Sequence, residues 1–525
     1  MTANLPVELT IGASSRKEGL PTVKVGDSLT LGLSRLSNAS SRWHNEGAIS
    51  ITDPFGLQVV KIPFRLGRYT RGQFRVPLHK NLLSGIYTVT VGFVDSAFKD
   101  VSTKEAPSKA IGESPRVFGC FRLEGGHPSI VTHTVTYEAT VQNKSDRSIA
   151  NLELFIAVPP PLPPRQDLLS LRLTPVTGRE ANDLTGNNWV HFAFDKLEAR
   201  ERVSCGYTAL VRNRSVRYAL PPTTKPIPVP DQLTAYTKPE WFIESHHQYV
   251  KQMARELSAS NPLPVPYVTA AMRAVASTVK YVPQTEERGA AYAVEKRVGD
   301  CTEFAALLAA LCRANGIPAR LSAGFAFGGH RWERHAWTEV WLRGMWIPAD
   351  PTWHGAAGLL GITSRHIACI IGNWMSNRVR QEFSLRWYAQ SGTQPPQLST
   401  KWQVRQTTRT SPQPTPAPSP APFTLEARAP DAVPRGSRLP VNAALVRIGR
   451  GTPAGEQMVL TATLSDGEID HVVAIEPFSP QLAKPVNLSF HVPMPEGLRR
   501  VVLWLQLWTD RKPTSTLWRK TIGLI

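Results

Sequence analysis

GDCTEF at residues 299–304 begins an apolar segment near the middle of this 525-residue chain. Beyond it the apolar residues recur at steps of three and four, the pattern of a helix that faces a protein core: Phe304, Leu307, Leu308, Leu311 and Cys312. Asn315-Gly316 and then Pro318 predict the end of the helix, because glycine suits the left-handed position there and proline bars continuation. The segment therefore predicts a buried helix with Cys301 in its first turn.

The position of Cys301 favours a reactive thiol. Unpaired backbone N–H groups and the positive end of the helix dipole stabilise a thiolate at a helix start. Asp300 is a suitable N-cap, and Gly299 lets the backbone turn sharply before it. The alternative is a buried structural cysteine, which is the commoner fate of a single cysteine.

Two residues downstream could complete a thiol site. A cysteine nucleophile needs a base, and the base needs an acceptor on its far nitrogen. His335 opens the segment HAWTEVWL, and Asp350 closes the segment MWIPAD. The turn signal Arg343-Gly344 between them predicts a β-hairpin.

The hairpin register decides whether this pair can meet. If Arg343 and Gly344 are the two turn residues, Leu342 pairs with Met345, and His335 and Asp350 become diagonal neighbours about 7–8 Å apart at Cα. A slip of one residue would place them on opposite faces. The alternatives are a polar residue that starts a strand for His335 and an ordinary Asp-Pro turn for Asp350.

These segments together resemble the transglutaminase-like superfamily, whose members share a papain-like α+β core. The resemblance rests on GDCTEFA at 299–305, HAWTEVW at 335–341 and DPTW at 350–353. It extends to NGIPAR at 315–320 and to the helical segments between Trp241 and Val282. It implies a multidomain protein with a papain-like transglutaminase core in the middle third of the chain.

The resemblance also implies roles for the three residues. Cys301 is the nucleophile that forms a thioester, His335 is the base and then the acid that protonates the departing amine, and Asp350 orients His335. The backbone N–H of Cys301 is the natural first oxyanion donor, and Tyr281 is a candidate for a second. The alternative for Tyr281 is packing at the end of a helix.

The loop before His335 is a candidate substrate-binding segment. Gly328-Gly329 precedes Arg331, Trp332 and Arg334, and such a mix suits a mobile loop that contacts a ligand. The two arginines could receive an acidic group of the substrate. A solvated loop with ordinary charges explains the same residues.

Other cysteine and histidine chemistry is not indicated. The 5 cysteines are odd in number and include no CxxC pair, so neither a disulfide framework nor a zinc module is predicted. His330 and His335 lack HExxH spacing, and we expect neither a metal nor another cofactor. Cys312 is expected to be a core residue.

The composition of the chain limits which binding partners and which cellular compartment are expected. The net charge of +19 favours anionic partners, yet no nucleic-acid-binding motif is present. We expect a protein or peptide as substrate, with acidic ones favoured by the charge. No signal peptide or apolar membrane span is evident, so the expected location is cytoplasmic. Nothing in the sequence indicates the oligomeric state.

The chain is too long for one hydrophobic core and predicts several domains. Residues 131–142 alternate apolar and polar, which is typical of a half-buried antiparallel sheet. The expected units are a β-sandwich at 1–112, a second β-sandwich at 113–237, the catalytic domain at 238–390, a Pro-rich linker at 391–423 and a C-terminal β-sandwich at 424–525. We expect the flanking domains to be immunoglobulin-like and the linker to hold the last one apart from the enzyme.

Three functions are compatible with these features. Hydrolysis of peptide or side-chain amides is favoured, since relatives with this motif are often peptidases. The first alternative is a protein-glutamine γ-glutamyltransferase, in which an amine replaces water at the thioester. The second is a scaffold that keeps the fold without catalysis, although it would not need all three residues of the set.

Overall fold

The computed structural model describes residues 7–13, 15–17, 20–35, 43–65, 71–79, 81–95, 117–183, 186–372, 383–388, 393–407, 423–434, 437–447, 458–478, 486–491, 498–509 and 512–525. In the described part, no helix is both long enough and apolar enough to cross a bilayer.

The described residues of the first part of the chain form strands: β1 (Val7–Gly12), β2 (Ser15–Lys17), β3 (Leu20–Lys24), β4 (Ser28–Arg35), β5 (Trp43–Thr52), β6 (Gln58–Arg65), β7 (Arg71–Pro77), β8 (Gly85–Asp95), β9 (Val117–Glu124), β10 (Ile130–Gln142), β11 (Ile149–Val158), β12 (Gln166–Thr174), β13 (Arg179–Asn182), β14 (Asn188–Leu197), β15 (Arg202–Arg214) and β16 (Val216–Tyr218). The middle contains the α-helices, with short 3-10 helices at Asp231–Thr237 and Gly355–Ala357: α1 (Gln248–Ser260), α2 (Pro264–Thr278), β17 (Lys280–Tyr281), α3 (Gly289–Lys296), β18 (Val298–Gly299), α4 (Cys301–Ala314), β19 (Ala319–Phe327), β20 (Trp332–Leu342), β21 (Met345–Ala349), β22 (Gly361–Ile362) and β23 (His366–Ile371). The last part returns to strands: β24 (Phe383–Tyr388), β25 (Gln397–Gln406), β26 (Phe423–Arg428), β27 (Ala432–Val433), β28 (Arg438–Arg447), β29 (Met458–Ser465), β30 (Asp470–Phe478), β31 (Val486–His491), β32 (Arg500–Thr509) and β33 (Lys512–Leu524).

Strands β1–β9 form the N-terminal β-domain, in which a three-stranded and a six-stranded sheet enclose one apolar cluster. Leu29, Leu31 and Leu33 from one sheet and Val89 and Val91 from the other are fully buried, as their alternation predicts. The domain extends beyond the predicted boundary at residue 112, because β9 pairs with β8.

The second β-domain contains two four-stranded sheets, β12-β15-β10-β25 and β13-β14-β11-β24. Val135, Tyr137, Ala139 and Val141 of β10 face its core, so the predicted alternation is confirmed. Its strands β24 and β25 come from residues that are predicted to belong to the catalytic domain and to the linker. The linker assignment is therefore wrong for residues 397–406, which pair with β10. Residues 408–422, which contain most of the prolines of the predicted linker, lie outside the described residues.

The helical core packs α1, α2 and α3 around α4, whose residues are buried almost throughout. Strands β23-β19-β20-β21-β22 continue through β16 into β30, β29, β32, β33 and β27, so one eleven-stranded sheet runs from the core into the C-terminal β-domain.

The C-terminal β-domain contacts the core directly. Strand β30 pairs in parallel with β16, and the Arg343 guanidinium donates to the carbonyl of Ile475 at 3.2 Å and to Glu476. The expectation that a spacer holds this domain apart is therefore wrong. A proline-rich composition predicts an extended chain, but it does not determine where the following strands dock.

Candidate active site

Helix α4 begins at Cys301, and side chains on both sides of that residue hold the start in place. The Asp300 carboxylate accepts from the backbone N–H of Thr302 at 3.0 Å, and the Glu303 carboxylate accepts from the N–H of Asp300 at 3.0 Å. This reciprocal capping box satisfies two N–H groups that a helix start leaves unpaired. The thiol of Cys301 is partly exposed at the positive end of the helix.

Gly299 is needed for close packing rather than for a sharp turn. Its φ is not in the left-handed region, but an added Cβ would lie 2.4 Å from the Cβ of Glu303. Glu303 is fully buried there and also accepts from the N–H of Arg288 at 2.8 Å. The small residue therefore lets the buried cap approach the chain just before the thiol.

The β20–β21 hairpin has the predicted register, with Leu342 paired to Met345. Arg343 and Gly344 both adopt positive φ, 54° and 93°, as a tight two-residue hairpin turn requires. Strand β20 begins at Trp332 rather than at His335, so the imidazole lies inside the strand. Its Nε2 is 2.9 Å from Oδ2 of Asp350.

The buried pair has the electrostatics of an imidazolium held by a carboxylate. Burial lowers the pKa of His335, but the charge and hydrogen bond of Asp350 and a hydrogen bond with the Cys301 thiol outweigh burial and raise this pKa to about 10. Burial raises the pKa of Asp350. The charge and hydrogen bond of His335, the hydrogen bond of His366 and the charge of His354 outweigh burial and hold that pKa well below its usual value. With Nε2 on Asp350, the other ring nitrogen of His335 is left for the thiol.

Asp350 has more partners than the sequence analysis expected. Its Oδ1 accepts from the backbone N–H groups of Thr352 at 2.9 Å and Trp353 at 3.1 Å. Its Oδ2, which bonds His335, also lies 3.2 Å from Nε2 of His366. His366 is not among the predicted site residues, and no local signal indicates it, because the pairing of β23 with β19 brings it to the site.

Aromatic rings enclose the imidazole of His335. Trp353 stacks on it at 4.6 Å between ring centroids and an interplanar angle of 19°, and the buried Trp337 lies 6.1 Å away. These rings limit the tilt of His335 and keep water from most of its surface.

Tyr281 lies near the thiol, though not at a helix end. Helix α2 stops at Thr278, and Tyr281 pairs with Gly299 through the short strands β17 and β18. Burial raises the pKa of its hydroxyl to about 12, with the negative charges of Cys301, Asp300 and Glu333 adding to the effect. A hydroxyl that keeps its proton beside Cys301 can donate to an oxyanion.

The three residues proposed to bind substrate have different surroundings in the structure. Trp332 contacts His133 of the second β-domain at 4.9 Å between rings, and the Arg334 guanidinium lies 5.6 Å from the ring of Trp402. Arg331 is exposed and pairs with Glu333 at 2.7 Å. Because side chains alternate along a strand, Trp332 and Arg334 share one face of β20 and His335 belongs to the other.

A metal ion would find three ligand atoms at this centre. One atom each from His335, Asp350 and His366 lie within 4.8 Å of one another. The hydrogen bonds of both imidazoles to Asp350 already account for that grouping.

Residues 251–351 match the family model of the transglutaminase-like superfamily, and this segment contains Cys301, His335 and Asp350. The protein-glutamine gamma-glutamyltransferase of Pseudomonas aeruginosa is 36% identical over 73 residues, which is 12% of this chain and 11% of that protein. The match thus spans about a tenth of the curated relative's length.

Among solved structures, a candidate cysteine protease from Cytophaga hutchinsonii is similar with a TM-score of 0.40 at 20% identity, over 54% of this chain and 93% of that one. A Salmonella alpha-2-macroglobulin mutant aligns with a TM-score of 0.21 at 9% identity, over 100% of this chain and 33% of that one. The middle of the chain is a transglutaminase-like core.

Proposed function

We propose that the transglutaminase-like core of this protein is a thiol acyl-transfer enzyme that cleaves peptide or side-chain amides through a thioester on Cys301, with water as the acyl acceptor. The observation that carries the proposal is the chain of contacts from Cys301 to His335 to the buried carboxylate of Asp350. Cys301 lies at the start of α4, whereas His335 and Asp350 belong to the β20–β21 hairpin, so the packing of the helix on the hairpin is needed to complete the chain.

The chemistry follows from these contacts. The imidazolium of His335 pairs with the Cys301 thiolate, which attacks the amide carbonyl. His335 then protonates the departing amine, and the neutral imidazole deprotonates the water that resolves the thioester. The backbone N–H of Cys301 and the hydroxyl of Tyr281 are the donors for the oxyanion.

Transfer to an amine is the second candidate. The match to a protein-glutamine gamma-glutamyltransferase favours it, although that match covers a small part of either protein. The two reactions share the thioester and differ only in whether water or a primary amine reaches it. We also propose that the flanking β-domains are immunoglobulin-like.

The test combines labelling and turnover. Iodoacetamide is expected to alkylate Cys301 at neutral pH much faster than Cys312, a free thiol on the same helix whose pKa burial raises to about 12. Glutamine-containing peptides are then incubated with and without a primary amine and their masses read. Cleavage or deamidation supports hydrolysis, and a gain equal to the amine minus ammonia supports transfer.

Cys301→Ser is the control and should abolish every one of these changes. Equal, slow labelling of Cys301 and Cys312 together with unchanged peptides would leave only a non-catalytic scaffold.

A further inference from the structure

Strand β23, which carries His366, is held by side-chain amides of the second β-domain. The amide of Gln166 donates to the carbonyl of Ala368 at 2.9 Å and accepts from the N–H of the same residue at 2.8 Å. The amide of Asn213 donates to the carbonyl of His366 at 2.7 Å and to Oε1 of Gln166 at 3.2 Å. Both amides are almost completely buried, so this polar clamp lies between the second β-domain and the core.

The hydrogen bonds of the His366 ring define which of its nitrogens carries the proton. Because an ionised carboxylate only accepts, Nε2 of His366 must carry the proton in its 3.2 Å bond to Oδ2 of Asp350. Nδ1 then accepts from the Thr363 hydroxyl at 3.2 Å. Burial lowers the pKa of His366, which keeps this ring neutral.

Asp350 has anchors other than His366. Two backbone N–H groups, from Thr352 and Trp353, already hold Oδ1, and the carboxylate is fully buried. His366 instead bonds Oδ2, the same oxygen that accepts from His335. Two donors on one oxygen share its charge, and each hydrogen bond to a carboxylate lowers its basicity.

We propose that His366, held by the second β-domain, shares Oδ2 of Asp350 with His335 and so limits the basicity that Asp350 confers on the catalytic imidazole. This inference rests on the proposed function. His366 acts through Asp350 and does not touch the thiol, and it lies beyond residues 251–351 of the family match. Its effect is to keep His335 acidic enough to give its proton to the departing amine.

The titratable groups around His335 come from four places in the described structure. The thiol of Cys301 at the start of α4 and Asp350 after β21 raise the pKa of His335, and His335 in turn acts on the pKa of the neighbouring rings His354 and His366. Trp353 and Trp337 complete the surroundings without charge. Burial lowers the pKa of His354 to about 4, so it is neutral like His366.

The test is the protonation of the His335 ring as a function of pH in the full-length protein, followed by nitrogen-15 NMR of the histidine rings. The imidazolium fraction of His335 should decline at high pH, where the ring loses its proton. His366→Phe keeps a ring but removes the donor, and it should move that decline upward by about half to one pH unit because Asp350 becomes more basic. His366→Gln restores a donor at the same reach and should return the profile to that of the wild type.

The sign of the shift separates the proposal from a structural role. If His366 only held Asp350 in place, His366→Phe would weaken the carboxylate–imidazole pair and move the decline to lower pH. A downward shift or an unchanged profile in a folded variant overturns the proposal.

A matched pair of amide variants tests the clamp. Gln166→Ala should shift the decline upward by a smaller amount, because β23 loses two bonds but keeps that of Asn213. The control is Asn143→Ala, a buried amide of the same domain that bonds to Arg147, Leu197 and Glu198 and should leave the profile unchanged. Equal shifts in both variants contradict the proposal.

One further test uses only the wild-type protein, so its result does not depend on whether a variant folds. Nitrogen-15 NMR of the histidine rings should show His366 neutral, with its proton on Nε2, from pH 6 to pH 9. A charged ring or a proton on Nδ1 would overturn the inference. Slow alkylation of wild-type Cys301, in contrast, would overturn the proposed function and is distinguishable from both results.

Discussion

Strand β20 carries two buried charged groups with different surroundings, His335 near its start and Glu339 near its end. Both are nearly or fully inaccessible to solvent. Glu339 accepts from Arg320 through Nε at 2.9 Å and the terminal nitrogen at 2.6 Å, and it also bonds the guanidinium of Arg165. His335 bonds Asp350 on one side, and its other nitrogen is directed to a partly exposed thiol.

The difference separates a structural charge cluster at Glu339 from the proposed reactive one at His335. Burial raises the pKa of Glu339, but the two guanidinium groups outweigh burial and lower it, so the charges are matched within the protein. At His335 the cation is matched by a carboxylate and by a thiol that can also react. Adjacent residues of the second β-domain contact the two clusters. Arg165 bonds Glu339, and Gln166 bonds the strand that carries His366.

The largest expected effect is at Asp350. Asp350→Asn removes the charge that raises the pKa of His335, so the ring should lose its proton below about pH 6.5 rather than near pH 10. Amide turnover should fall on the order of 10³–10⁴-fold. The measurement is the nitrogen-15 NMR titration of the His335 ring together with the peptide mass assay. If the His335 ring still lost its proton at the same high pH, the pair would not act as a unit.

Glu339→Gln should affect stability instead of reactivity. It leaves two buried guanidinium groups without their carboxylate, which costs about 3–5 kcal/mol in the free energy of unfolding measured with urea. The alkylation rate of folded molecules should stay at the wild-type value. The control is Asp146→Asn in the exposed pair with Arg200, which should be neutral. Slower alkylation of Cys301 in this variant would show that the Glu339 cluster affects the thiol, and it would contradict the distinction between the two clusters.

The histidines around the site should respond to acid in opposite ways. Burial lowers the pKa of His133 and His354 to about 4, so the unfolded chain binds protons that the folded protein does not, and stability falls as pH drops from about 6.5 to about 4. His335 has a raised pKa, and its contribution is complete below about pH 6.5 and is lost as pH rises through about 10.

His133→Phe tests this split, because it keeps a ring against Trp332 and removes the titrating group. The acid loss of unfolding free energy between pH 6.5 and pH 4 should shrink by about 1–3 kcal/mol in urea experiments. His246→Asn changes an exposed histidine and should leave the loss as it is. The same acid loss in both variants would show that His133 is not the group that titrates.

The smallest effect is expected at Thr338, which lies between the two clusters. Its hydroxyl donates to the carbonyl of Ala305 in α4 at 2.8 Å. Thr338→Val should lower the free energy of unfolding by about 1 kcal/mol, with the alkylation profile unchanged. A shifted profile would show that the attachment of β20 to α4 tunes the thiol.

Local features were predictable wherever neighbouring residues decide the geometry. The helix start at Cys301 depends on Asp300 and Glu303, and the hairpin register depends on Arg343 and Gly344. These contacts are short in sequence, so propensities and turn chemistry suffice. The contacts of Trp332 with His133 and of Arg334 with Trp402 were not predictable in this way, because they depend on the docking of the second β-domain against β20. Substrate binding by Trp332 and Arg334 stays a prediction.

The amino-acid sequence by itself indicated Cys301, His335 and Asp350 as the candidate thiol, base and acceptor, because a capping signal marks the helix start at the cysteine and a turn signal sets the hairpin that carries the other two. The tertiary structure alone decided that His366 shares Asp350, that β24 and β25 return to the second β-domain, and that β30 extends the core sheet. Alternation within a segment shows that one face of a strand is buried, but the partner strand is chosen by mutual burial of two distant segments, and that choice leaves no pattern in either segment alone.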